Sequence, residues 1–92
     1  MKVNFYATLR PIVGQRTVTL NVTEGLTAMD LINALVAEYP AMGPELLDEN
    51  GNFYSHMKMF VNGREVVYLE GQFDYRLQAE DKVDIFPPVG GG

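Results

Sequence analysis

The hydrophobic period changes twice along these 92 residues, from two to nearly four and back to two, and a chain so patterned is confined to a few mixed folds. Residues 2 to 9 (KVNFYATL) alternate strictly, with Val3, Phe5, Ala7 and Leu9 against Lys2, Asn4, Tyr6 and Thr8. This predicts a half-buried strand. Residues 17 to 23 repeat the pattern, with Val18, Leu20 and Val22 inward and Thr17, Thr19, Asn21 and Thr23 outward. Their β-branched content suits a second strand, and the short link through Pro11 and Gly14 predicts an antiparallel hairpin.

The period then lengthens. Leu31, Leu35 and Tyr39 recur at i, i+4, i+8 beside Ile32 and Val36, behind Thr27 as a cap and Asp30 in the first turn. One amphipathic helix is predicted, stopped near Tyr39 because Pro40 disfavours helical geometry in the residue before it. Residues 40 to 55 hold Pro40, Gly43, Pro44 and Asn50-Gly51 and are expected to be loop with one turn at Glu45 to Leu47. Met57, Met59 and Val61 alternate with Lys58 and Phe60 as a third strand, Asn62-Gly63 gives a tight turn, and residues 64 to 69 return as a short strand. After Gly71 and a polar connection, Val83 to Phe86 form the last strand, ended by Pro87-Pro88. The expected fold is α+β, a mixed sheet of four to five strands on one main helix.

Charge and composition exclude several functions. The net charge is −5, and the seven basic residues are scattered singly, so no cluster exists to displace counterions from a nucleic acid. Zero cysteines remove disulfides, thiolate metal sites and an internal thiol nucleophile. His56 is the sole histidine and lacks neighbours for a metal or catalytic set, so no metal site is expected. No signal sequence or membrane-length apolar run is visible, which makes a cytoplasmic, membrane-free chain the expectation.

Phe60-Val61-Asn62-Gly63-Arg64, Gly71, Asp81-Lys82-Val83 and the run Phe86-Pro87-Pro88-Val89-Gly90-Gly91-Gly92, in this element order, resemble the MoaD family of the ubiquitin-like β-grasp fold. That family comprises the small subunit of molybdopterin synthase and small archaeal modifier proteins. The resemblance covers the whole chain as a single domain, 1–92, with 87–92 a flexible tail; Glu80-Asp81 and Gly90 depart from the usual pattern. It implies a sulfur carrier, with Gly92 the acceptor first of an adenylate and then of a thiocarboxylate sulfur. The chain is then no enzyme alone but the sulfur-donating subunit of a molybdopterin synthase complex in molybdenum or tungsten cofactor biosynthesis. The partners implied are a ubiquitin-activating-enzyme-like adenylyltransferase, the synthase large subunit and a sulfur donor enzyme. No cofactor is held stably, and ATP is consumed by the activating partner. The alternative is a ubiquitin-like modifier joined to target lysines through Gly92. Thiazole and tRNA thiolation also remain open as sulfur destinations.

The tail has its own physical logic. Glycine lacks a Cβ, so Gly90 and Gly91 can thread a narrow channel ahead of Gly92. Residues 87–92 extended span up to about 20 Å, enough to carry a carboxylate into a partner's site. Ordering three glycines costs about 3 to 6 kcal/mol, so docking contacts must come from the folded body. Tyr6, Phe60 and Phe86 stand at polar-side positions of three strands, where small polar residues are expected. With Pro87, Pro88 and Val89 they are the candidate partner-binding residues, unless the 40 to 55 segment covers them. Glu80, Asp81 and Asp84 lie near the tail and offer acidic steering toward a basic partner.

Overall fold

The computed structural model describes residues 1–20 and 25–87. The outward Asn21 and Thr23 and inward Val22 of the second predicted strand, and Pro88, Val89, Gly90, Gly91 and Gly92, lie outside the described residues. Among the described residues, five strands form one mixed sheet: β1 (Lys2–Phe5), β2 (Thr17–Thr19), β3 (Lys58–Val61), β4 (Arg64–Glu65) and β5 (Lys82–Phe86). Their spatial order is β2-β1-β5-β3-β4, with β1 and β5 parallel in the centre and every other pair antiparallel.

Alternation sorts the strands as expected over their cores. Val3, Phe5, Val18, Met59, Val61, Val83 and Ile85 all point inward and are buried. Against them lies the helix Ala28–Glu38, which buries Ala28, Leu31, Ile32 and Leu35. Thr27 caps it reciprocally: Asp30 N donates to Thr27 Oγ1 and Thr27 N donates to Asp30 Oδ2, each at 3.1 Å. The helix ends at Tyr39, as Pro40 requires.

Three boundaries differ from the sequence expectation. The first strand stops at Phe5 rather than residue 9, because Ala7 takes a positive φ of 52° and opens a 3₁₀ turn (Ala7–Leu9) that runs into the short helix Arg10–Val13. Pro11 sits in the first turn of that helix, where its missing N–H costs nothing. Leu9 is buried as its pattern implied, but by a turn rather than a strand. The same logic corrects residues 40 to 55. Pro40 and Pro44 each open a helical turn, a 3₁₀ turn (Pro40–Met42) and then the helix Gly43–Leu46, burying Met42 and Leu46 at i, i+4. The fourth strand ends at Glu65, and residues 66 to 68 form a 3₁₀ turn. There Val66 and Leu69 are buried three residues apart, a spacing that a strand cannot place on one face.

The Asn62-Gly63 turn forms as predicted, with positive φ at both residues, 52° and 86°. No helix among the described residues is long and apolar enough to cross a membrane.

Candidate partner-docking face and tail root

The helix and the segment 40 to 46 pack on the inner face of the sheet, where Met42 and Leu46 join the same core as Val3 and Ile85. The outer face therefore carries the residues that broke the polar pattern. Tyr6 and Phe86 stack with ring centroids 4.1 Å apart, and Phe60 meets Phe86 edge-on at 5.4 Å. All three are partly buried, by one another, and they form one aromatic surface. The 40 to 55 segment closes elsewhere, through a Leu47–Phe53 bridge and a Phe53–Phe73 contact. Pro87 follows directly from Phe86 and is the last described residue, so the aromatic surface marks the root of the tail.

Strand register builds a second, polar layer beside the aromatics. Thr17 pairs with Asn4, Asn4 with Asp84, and Asp84 with Phe60, so these four residues form one rung across four strands. Thr17 Oγ1 donates to Asn4 Oδ1 at 2.7 Å, and Asn4 Nδ2 donates to Asp84 Oδ1 at 2.9 Å. The Tyr6 hydroxyl also donates to Asp84 Oδ1, at 2.9 Å. That hydrogen bond raises the Tyr6 pKa above its ordinary 10.0, helped by burial and by the charge of Asp84; Arg10 and Arg16 pull the other way. Arg10 lies 5.4 Å from the Tyr6 ring centroid and donates through Nε to the Phe5 carbonyl, holding the end of β1.

The three acidic residues near the tail thus separate. Asp81 is buried and occupied, accepting from Asn62 Nδ2 at 2.9 Å and from Gln78 N at 2.8 Å. It closes the turn into β5. Glu80 is exposed, and Asp84 lies at the centre of the outer face. Sequence reasoning found the aromatic trio from its breaks in alternation. It missed Thr17 and Asn4, whose tie to Asp84 depends on the pairing of strands some 80 residues apart. His56 is exposed and stacks on Tyr54, with ring centroids 4.6 Å apart.

The model of the ThiS family matches residues 3–92. The chain belongs to the ThiS family. It is 38% identical over 92 residues to small archaeal modifier protein 3 of Haloferax volcanii, covering 100% of this chain and 98% of that one. Among solved structures it is similar to SAMP1 from Haloferax volcanii, with a TM-score of 0.88 and 30% identity over 100% of this chain and 98% of that chain. A Pyrococcus furiosus structure described as molybdopterin converting factor, subunit 1, aligns with a TM-score of 0.74 and 28% identity over 96% of this chain and 95% of that one. Fold and family are therefore those of the ubiquitin-like sulfur carriers and modifiers, as the motifs implied.

Proposed function

We propose that this ThiS-family chain is a carrier activated at Gly92. The observation that carries the reading is the aromatic surface at the tail root, Tyr6, Phe86 and Phe60, on a sheet face that the chain's own helix leaves free. Support also comes from the family match, which runs through residue 92 and so includes all three glycines.

The chemistry follows from the weakness of a carboxylate as an electrophile. An adenylyltransferase partner brings ATP. The Gly92 carboxylate attacks the α-phosphorus, pyrophosphate leaves, and an acyl-adenylate results. A persulfide on a sulfur donor enzyme then attacks the acyl carbon and expels AMP, and a thiol cleaves the acyl disulfide to leave a thiocarboxylate. On the large subunit of a molybdopterin synthase that sulfur passes to a pterin precursor. The Pyrococcus furiosus neighbour favours this fate.

A second fate begins from the same adenylate. An enzyme thiol takes the acyl group, and a target lysine amine receives it as an amide. Two relatives matched along the whole of this chain, at 38% and 32% identity, are named small archaeal modifier proteins 3 and 1, which favours conjugation.

ATP–pyrophosphate exchange by the adenylyltransferase of the same organism tests the common step. The intact chain should support exchange, and a chain lacking Gly91 and Gly92 should not. Phe60→Ser and Phe86→Ser should raise the KM for the carrier while leaving its fold intact by circular dichroism. Exchange that survives loss of both glycines rejects the reading.

A further inference from the structure

The chain holds two Asn-Gly pairs, Asn50-Gly51 and Asn62-Gly63, and all four residues are exposed. An asparagine before glycine is chemically labile, because no Cβ hinders attack of the following backbone nitrogen on the side-chain amide. Both glycines have positive φ, 81° and 86°, so neither exposure nor glycine conformation separates the pairs. Side-chain bonding does. Asn62 Nδ2 donates to Asp81 Oδ1 at 2.9 Å, and Asn62 Oδ1 accepts from Lys82 N at 2.9 Å. Asp81 is itself buried and also accepts from Gln78 N, so both ends of the Asn62 amide are fixed against the start of β5. Asn50 is held only by its backbone. Its N–H, like that of Asn52, donates to Asp48 Oδ1, at 2.8 and 3.0 Å, while its side-chain amide bonds to no described residue.

We propose that Asn50 is a site of succinimide-mediated deamidation in the folded chain, and that Asn62 is protected from the same reaction by its bonds to Asp81 and Lys82. The Gly51 nitrogen loses its proton to hydroxide and attacks Asn50 Cγ, forming the N–Cγ bond of the succinimide ring. The Cγ–Nδ2 bond breaks, and Nδ2 leaves as ammonia with a proton taken from water. A second water opens the ring at either carbonyl, which gives aspartate or isoaspartate. The Gly51 N–H is engaged by the Asp48 carbonyl at 3.0 Å, a single bond in an exposed turn that opens locally. Asn62 must instead surrender both side-chain bonds before its Cγ is free to turn, which slows it by about tenfold or more. The product places a new carboxylate beside Glu49 and near Asp48, and isoaspartate lengthens the main chain inside the turn that the Leu47–Phe53 bridge closes. The outer sheet face takes no part, so the inference stands apart from activation at Gly92.

The test is to incubate the native chain in warm, mildly alkaline buffer and follow both asparagines by peptide mapping with tandem mass spectrometry. Conversion of amide to acid should accumulate at Asn50, faster as pH rises, with Asn62 slower by about tenfold or more. The same incubation in concentrated urea should bring the two rates close together, because the fold alone distinguishes the two exposed pairs. Equal rates in the folded chain, or faster conversion at Asn62, overturn the inference. So does an Asn50 that stays intact in the folded chain over a time that converts it in urea. A difference of the same size in urea overturns the protection assigned to Asp81 and Lys82.

Discussion

Tyr6 shows how one side chain joins the two layers of the outer face. Its ring belongs to the aromatic surface and its hydroxyl to the polar rung, where the hydrogen bond to the Asp84 carboxylate holds the phenol proton, helped by burial and by the carboxylate's charge. Because the folded-state pKa is raised above 10.0, the proton on Tyr6 stabilises the fold. That contribution is fully present below the unfolded value and is lost as pH rises through the folded one. Urea midpoints measured below and above pH 10 should therefore fall less steeply with pH in Tyr6→Phe than in the native chain. Phenolate absorbance should show Tyr6 ionising at lower pH in Asp84→Asn; an unmoved titration would contradict the assigned hydrogen bond. The aromatic half of this arrangement was legible in the sequence, because bulky rings at polar-side positions break a strict pattern. The polar half was not. Nothing near residue 4 announces residue 84; only the parallel pairing of β1 with β5 brings them together.

At the scale of elements, local signals succeeded where a side chain satisfies the backbone and failed where proline was read only as a breaker. The Thr27–Asp30 capping box fixed the start of the main helix within a residue. Thr27→Ala should cost about 1 kcal/mol and lower Tm by about 4–8 °C in a domain of this size, as read by thermal circular dichroism; no change would mean that the cap is idle. Pro11, Pro40 and Pro44 each lie in the first turn of a helical segment and start structure, and Pro40 also ends the main helix before it, as its sequence position implied. The strand boundaries at Phe5 and Glu65 were overrun for a related reason. Alternating apolar residues within a short 3₁₀ turn mimic a strand until a positive φ, as at Ala7, or an i, i+3 pair, as at Val66 and Leu69, reveals the tighter period.

For the whole molecule, the division of labour between body and tail follows from what each can supply. The sheet packs one face on a helix to form the core, and its other face carries the aromatic surface and Asp84 where β5 runs into Pro87. Membership of the ThiS family gives this arrangement its chemical context. The proposed activation at Gly92 suits both sulfur transfer and conjugation, because the two diverge only after the adenylate forms. The measurement that bears most directly on activation at Gly92 is tandem mass spectrometry of the chain isolated from its own cells, covering its C-terminal peptide and any conjugates. Sulfur in place of one oxygen at Gly92, or a lysine amide bearing the glycine remnant, is the expected result, and the species found decides between carrier and modifier. A free carboxylate throughout, with no adduct and with cellular function intact after removal of Gly91 and Gly92, would contradict it.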